Sequence, residues 1–482
     1  MLRNVVSIDD LTNEEIESLF RLADEFLEKM SVPGHPHRLT GRNDLAQGRI
    51  LATIFAEPST RTRLSFESAM LRLGGQVISS ADANTSSAAK GESIADAVRV
   101  VENYADLIVI RHSFEGAARA AADYTSIPVI NAGDGSHEHP TQTLCDLYTL
   151  RIARKTKSGE IQTDALRDLN VVLRGDLHDG RTAHSLAFAL ARFGSQILPD
   201  PAPGCDFPEH VRRRLARDYG CFPLISSDVD NLPQGAFPAD VVYVTPEEPH
   251  QLALLPDVDN VWVRLSKRQQ KSIRGMKHVD AFYATRLQLE RIPPEQRDQM
   301  RKQYGSIDAK FLNEKKYRHS RVLHPLPRTD ELSYELDRDE RGVYFQQAAY
   351  GVPVRMALIA ALLELQPGLL SPVEAPGKYA EYQHPQGIHC GNKRCVTRQK
   401  TEMHYLVPKF WIVDNQPLTT RCIYCDFEIE PKIVAQASTR RFTDATSTWR
   451  EIDLNDMVIF DDETSAVSAG YQRNQVMLSQ KP

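Results

Sequence analysis

The sequence predicts an α/β protein with two lobes, each built on a parallel sheet, followed by a small C-terminal β-rich zinc domain. Three observations carry this. From residue 50, short β-branched runs alternate with amphipathic stretches, the pattern of parallel strands crossed over by helices. The same alternation restarts near residue 170, after a polar segment. Four of the seven cysteines gather as Cys390, Cys395, Cys422 and Cys425, and that clustering favours a metal over disulfides.

The elements follow in order. Thr12 and Glu15 form a capping box, and Ile16, Leu19, Phe20, Ala23 and Leu27 recur at helical spacing, which predicts a core-facing first helix. The run ILATIFAE reads as a strand, a helix starts at about 61, and QVISS is the next strand. A helix near 92–104, the strand DLIVIRH, another helix and the strand PVINAG follow, and a helix over about 141–155 closes the first lobe near residue 150. NVVLRGD and TAHSLAFALARFG open a second lobe over 151–345, in which DVVYV and VDAFYAT are strands. Between 195 and 280 the Pro- and Asp-rich chain gives no other clear element. The stretch 346–366 is apolar on most faces and ends before Pro367, so it reads as a buried terminal helix returning to the first lobe. A Pro-rich linker over 367–387 leads to the cysteine region, 388–482.

Bulk properties agree with several soluble domains. The 482 residues exceed the roughly 250 to 300 at which one core stops growing. Hydrophobic residues at 41% and charged residues at 25% exclude disordered and fibrous classes. A net charge of -6 argues against a chain-wide role on nucleic acid or acidic membranes. No apolar run reaches the roughly 18 residues of a membrane span and the first residues lack a cleavable leader pattern, so cytoplasm is the expected compartment.

The chemistry gathers at strand ends. Pro58, Ser59, Thr60, Arg61, Thr62 and Arg63 lie between a strand and a helix. Hydroxyls, guanidiniums and free backbone N–H groups thus converge where a helix dipole favours an anion. An isolated Ser-Thr pair would read as a cap; the whole hexapeptide is far more specific. The loop NTSSAAKGES offers Ser86 and Lys90 as further donors, although alone it reads as a solvated loop. Arg111 ends DLIVIRH and so stands at the carboxyl edge of its sheet, where open α/β sheets bind ligands. His139 and Gln142, three residues apart at a helix start, put a proton donor and an amide beside one spot.

Over the first 366 or so residues these motifs resemble the aspartate carbamoyltransferase family. The resemblance implies that Ser59, Thr60, Arg61 and Thr62 hold the phosphate of carbamoyl phosphate. Arg111, Thr62 and His139 would polarise its carbonyl oxygen, while Gln142 and the backbone carbonyls of Pro325 and Leu326, beside Pro327, would hold its amino group. It also implies a homo-oligomer, a trimer or dimer of trimers, because the loop carrying Ser86 and Lys90 enters the neighbouring subunit's site. Such an enzyme works by orientation and oxyanion stabilisation, with direct attack by the acceptor amine and no covalent nucleophile.

A dicarboxylate acceptor calls for two guanidinium forks. By resemblance these are Arg181 in GDLHDGRTAHS and Arg286 in YATRLQLER, with Gln288 two residues on and, along a strand, on the same face. The segment from His324 through Pro325, Leu326 and Pro327 to Arg328 matches the version that takes L-aspartate. Ornithine-type members carry a cysteine after the histidine, so ornithine is the lesser candidate. The implied reaction belongs to de novo pyrimidine biosynthesis. Residues 195–280 look longer than the family's usual second lobe, and Ala89 stands where a second basic residue is common. A scaffold that kept the fold without chemistry has no physical need for Arg61, Lys90, Arg111, His139, Arg181 and Arg286 together.

Cys390 and Cys395, then Cys422 and Cys425, make two thiolate pairs able to close a tetrahedral structural zinc site with no position open to substrate. The spacing resembles the zinc domain of the family's separate regulatory chain, here fused behind the catalytic part, and its implied role is contact between catalytic subunits. The competing reading is a nucleic-acid-binding ribbon, for which Lys393, Arg394, Arg398, Lys400, Lys409 and Arg421, interleaved with Tyr405, Phe410 and Trp411, supply charge and stacking faces. Nucleic acid is the less expected partner, because small domains of this kind spend their aromatics on a core.

Overall fold

In a computed structural model, the first helix, α1 (Asn13–Met30), starts where its capping box puts it: Thr12 Oγ1 accepts the Glu15 N–H at 3.1 Å and the Glu15 carboxylate accepts the Thr12 N–H at 2.9 Å. The structure describes residues 3–80, 91–154, 165–178, 180–201, 204–223, 240–245, 279–286, 306–315, 317–329, 331–371, 378–445 and 452–474.

The hairpin β1 (Ser31–Val32) and β2 (His35–Leu39) precedes the first lobe. The lobe then runs β3 (Ile50–Phe55), α2 (Thr60–Arg72), β4 (Gln76–Ser80), α3 (Ile94–Val101), β5 (Leu107–His112), α4 (Ala117–Asp123), β6 (Val129–Asp134) and α5 (Pro140–Ala153). Its sheet is parallel in the order β4-β3-β5-β6. β5 and β6 are buried along almost their whole length, which is why they read as continuous apolar runs.

The second lobe contains β7 (Asn170–Gly175), α6 (Arg181–Arg192), β8 (Gln196–Pro201), α7 (Glu209–Tyr219), β9 (Val241–Val244), β10 (Ala281–Ala284), α8 (Ala309–Leu312), β11 (Arg321–Leu323) and then α9 (Tyr344–Leu362). Its sheet is parallel in the order β11-β10-β9-β7-β8. Four of these elements, β8, α7, α8 and β11, were not predicted from the sequence. Pro199 and Pro201 argue against a central strand, but β8 is the sheet's last strand, where proline is tolerated. α7 has a thin buried apolar face, Val211 and Leu215, and its arginines are spent on ion pairs: Arg214 with Asp426 at 2.6 Å and Arg217 with Glu428 at 2.8 Å. α9 returns to pack on α1, α2 and α5, so the chain's second crossing is a helix buried among helices.

The C-terminal region makes two small sheets. β12 (Ala380–Gln383), β13 (Lys409–Asn415), β14 (Leu418–Cys422) and β15 (Glu428–Ile429) pair antiparallel in that order, with β12 lying inside the stretch read as a linker. β16 (Ile433–Gln436), β17 (Arg441–Asp444), β18 (Met457–Phe460), the short α10 (Glu463–Ser468) and β19 (Gln472–Arg473) form the other, in the order β18-β16-β17-β19. Strands this short fall below the window in which periodicity can be read, so the segment after Cys425 gave no fold from sequence.

This region sits astride both lobes. On the first, its apolar residues share one core with Ile94, Val98, Ala117 and Ala121. There the Glu402 carboxylate accepts the Ile94 N–H at 3.0 Å and Lys409 pairs with Asp123 at 2.7 Å. On the second it takes the α7 arginines, and Arg421 reaches Asp218 at 2.7 Å. Among the described residues no helix is long and apolar enough to cross a membrane.

Candidate active site and metal centre

Two helix N-termini of the first lobe carry the polar residues. Ser59 is the N-cap of α2 but spends no side-chain bond on capping, so its hydroxyl is left for another partner. Thr60, Arg61 and Thr62 form the first turn, and the Thr62 side chain is buried. Arg111 is in register with Phe55 on the adjacent parallel strand, which brings it to the same carboxyl edge. It is not a solvated strand end: Nη1 donates to the Ala132 carbonyl at 3.0 Å and Nη2 to Glu57 at 2.9 Å, while Nε is buried without an acceptor. His139 is the N-cap of α5, and Gln142 lies in that helix's first turn.

Gly133 lies between Arg111 and His139. Its φ is +114°, a conformation that side chains resist. A Cβ built there would lie 2.5 Å from Arg111 Nη1 and 3.4 Å from His139 Cδ2. Arg111 and His139 therefore flank one small space that only a glycine leaves open.

The second lobe reaches the same edge through the turn after β11. Arg61 Nη2 donates to the Leu326 carbonyl at 2.8 Å across the lobes. That turn is set by His324: its Nδ1 accepts the Leu326 N–H at 2.8 Å, so Nε2 must carry the proton it donates to Glu331 at 2.7 Å. Burial pushes the imidazole's pKa down, which keeps it neutral in this role. Pro325 and Leu326 are half-buried and Pro327 is exposed. Arg286 follows β10, whose last residue is Ala284, so it projects from the segment after the strand and not from the strand itself. Burial, and then the like charge of Arg286, lower the pKa of Arg61. Two guanidiniums held this close favour an anion between them.

The structure thus brings together Ser59, Thr60, Arg61, Thr62, Arg111, His139, Gln142, Arg286 and the turn from Pro325 to Pro327. Ser86, Lys90 and Gln288 lie outside the described residues. Arg181 begins α6, and its side chain also lies outside the described part. Sequence reasoning missed Glu57, Asp146, Tyr283, Glu331 and Gln347. Asp146 had a readable signal: it stands four residues after Gln142 on one helix face, and Gln142 Nε2 donates to it at 2.8 Å. Burial drives the Asp146 carboxyl's pKa up to about 7.

In the C-terminal region the four cysteines meet. Their sulfurs all lie within 4.8 Å of one another, with Cys390 Sγ 3.5 Å from Cys425 Sγ and Cys395 Sγ 3.9 Å from Cys422 Sγ. Zinc–sulfur bonds of about 2.3 Å in a tetrahedron require sulfurs roughly 3.8 Å apart, so the set fits such a metal. Hydrogen bonding, led by Cys390, pulls the Cys395 thiol's pKa down, whereas burial pushes Cys422 and Cys425 up. The basic residues here are largely spent on docking: Arg394 on Glu115 at 2.8 Å, Lys409 on Asp123, and the buried Arg421 on Asp218 and Glu428. Phe410 is fully buried. Neither observation suits a nucleic-acid surface.

Residues 3–152 match the family described as aspartate/ornithine carbamoyltransferase, carbamoyl-P binding domain, and residues 236–362 match its Asp/Orn binding domain. Residues 386–435 match the metal binding domain of the aspartate carbamoyltransferase regulatory chain. An aspartate carbamoyltransferase catalytic subunit of Methanothrix thermoacetophila is 40% identical over 364 residues, 75% of this chain and 98% of that protein. The catalytic subunit of M. jannaschii aspartate transcarbamoylase superposes with a TM-score of 0.54 at 35% identity, covering 76% of this chain and 100% of the other. Aspartate transcarbamoylase from Trypanosoma cruzi, solved with carbamoyl aspartate and phosphate, gives 0.52 at 29% identity, covering 74% of this chain and 94% of its own.

Proposed function

The chain belongs to the aspartate carbamoyltransferase family, and from that premise we propose that it transfers the carbamoyl group of carbamoyl phosphate to the amine of L-aspartate, for pyrimidine synthesis, as a homotrimer braced by a zinc-bound C-terminal region. The observation that carries the reading is that Arg111 and His139 flank Gly133 while Arg111 is also in register with Phe55 and paired with Glu57, just ahead of the α2 anion turn.

The steps follow from these positions. The phosphate enters the N-terminus of α2, where Ser59, Thr60, Arg61 and Thr62 supply donors. Thr62, His139 and the unspent Nε of Arg111 polarise the carbonyl oxygen; an unpaired buried donor costs about 1–3 kcal/mol until an acceptor arrives. Gln142 and the carbonyls of Pro325 and Leu326 receive the amino group. Arg181, Arg286 and Gln288 hold the two carboxylates of aspartate, so its amine attacks the carbonyl and phosphate departs against the charges that already grip it. Zinc would cross-link its four thiolates and do no chemistry on the substrate.

Support for the trimer is exposed apolar surface on α2 and on β4, the last described strand before the segment of sequence that carries Ser86 and Lys90. Leu64 and Leu71, seven residues apart on α2, are 51% and 54% exposed, and Ile78 on the edge strand β4 is 39% exposed. A neighbouring copy would cover that surface.

Incubation of labelled carbamoyl phosphate with L-aspartate or L-ornithine tests the reaction. Labelled N-carbamoyl-L-aspartate is expected and citrulline is not; no product from aspartate refutes the reading. Gly133→Ala is expected to fold yet lose about 10²-fold in kcat/KM, because displacing a catalytic group by an ångström costs that much. Wild-type turnover in that variant would remove Arg111 and His139 from the site.

A further inference from the structure

The amide of Gln142 is held in one orientation by a chain of hydrogen bonds that starts at a group unable to reverse its role. The backbone N–H of His324 can only donate, and it donates to Gln347 Oε1 at 2.8 Å. Gln347 must therefore present Nε2 to Asp146 Oδ1, 2.9 Å away. That makes Oδ1 an acceptor whatever the protonation state of Asp146, since a proton on Oδ1 would face an N–H. Gln142 approaches the same Oδ1 at 2.8 Å and so must also present Nε2. The other carboxylate oxygen receives the Tyr283 hydroxyl at 3.0 Å. Gln142 Oε1 is thereby left as the outward end of the amide, and among the described residues no donor meets it.

We propose that Asp146 is a positioning residue that sets substrate specificity: by holding Gln142 Nε2 it makes Gln142 Oε1 a fixed acceptor for the carbamoyl N–H. The site then rejects acyl phosphates that lack that N–H. This rests on the reading of Gln142 as the residue that meets the carbamoyl amino group. A free glutamine amide flips and offers either end, so it cannot tell an amino group from a carbonyl. An amide locked by a buried acceptor can. A site built to bond a substrate N–H can reject the analogue lacking it by up to about 10⁴-fold. Asp146 also receives donors from α5, α9 and β10, so the lock forms only when these three elements are in place.

The probe is acetyl phosphate, which carries a methyl in place of the amino group, with inorganic phosphate as a control that has neither. In the full-length, metal-loaded protein, the KM of carbamoyl phosphate and the inhibition constants of acetyl phosphate and phosphate are measured for wild type, Asp146→Ala, Asp146→Asn and Gln142→Ala. Asp146→Ala is expected to lose at least about tenfold of the preference for carbamoyl over acetyl phosphate, with phosphate inhibition held within about twofold. Asp146→Asn keeps an acceptor at Oδ1, and the Tyr283 hydroxyl can turn to accept its amide, so the preference should survive. Should Asp146→Ala fail to fold, Asp146→Leu, of closer volume, carries the same expectation. Unchanged preference in Asp146→Ala or Asp146→Leu, beside its loss in Gln142→Ala, overturns the proposal. Unchanged preference in Gln142→Ala overturns the parent reading of Gln142 instead.

Discussion

Arg61→Ala is expected to lower kcat/KM by at least about 10³-fold, the upper range for one transition-state donor, while the protein stays folded. Arg61 is a charge in the first turn of α2, where backbone N–H groups and the helix dipole already favour an anion. Its guanidinium bonds the Leu326 carbonyl, so the same side chain that would grip the phosphate ties the second lobe's turn to the first. The like charge of Arg286 works against this arrangement when no anion is present. Removing Arg61 therefore costs the fold little: one hydrogen bond, worth about 0.5–1.5 kcal/mol, is lost and a repulsion is relieved. The transition state gains no such relief, because phosphate leaves with more charge than it carried in the acyl phosphate. Steady-state assay beside a thermal melt checks this. Inhibition by inorganic phosphate should weaken in parallel with turnover, whereas Arg61→Lys, which keeps the charge but not the fork, should fall between the two. Turnover near wild type with an unchanged melt would take Arg61 out of the mechanism.

What the sequence disclosed about this site follows from where each residue's signal lies. Ser59 to Arg63, Arg111 and His139 sit at strand ends or helix starts, and those places are marked in sequence by the switch from β-branched runs to helical spacing. The residues that orient them are not marked. Glu331 is seven residues from His324 and pairs with it through a turn, and Gln347 lies 201 residues from Asp146; long-range polar contacts leave no periodic trace. The same holds for α7, whose arginines look solvated until the acidic partners of the C-terminal region are set against them. The inner strands of the parallel lobes were readable because β5, β6, β9 and β10 are buried along almost their whole length and so run apolar. The second C-terminal sheet was not, since its strands run two to four residues.

Removing the metal is expected to unfold the C-terminal region and to disturb both lobes, an effect wider than loss of a separate module. In isolated zinc-binding peptides the metal supplies about 10–16 kcal/mol, as much as the whole stability of an ordinary domain. Asp426 follows the ligand Cys425 and takes Arg214 of the second lobe at 2.6 Å and His137 of the first at 3.0 Å. When the thiolates lose their cross-link, the left-handed turn at Asp426, φ +58°, is held by the backbone bonds Asp426 N–H to the Cys422 carbonyl and Cys422 N–H to the Phe427 carbonyl, both 2.9 Å, without the metal's support. The buried Arg214 then loses one of its two closest carboxylates and keeps Asp9 at 2.6 Å. His137 stands two residues before His139, so the disturbance reaches the proposed active site along the chain. At the same time Ile94, Val98, Ala117 and Ala121 lose the apolar cover that the region provides. Treatment with a strong chelator, or Cys422→Ser, should therefore release the metal, open residues 390–430 to protease first, depress turnover and promote aggregation, with the parallel sheets still visible by circular dichroism. A protein that gives up its metal yet keeps its melting temperature and protease resistance would show that the thiolate cluster, and not the ion, holds this region together.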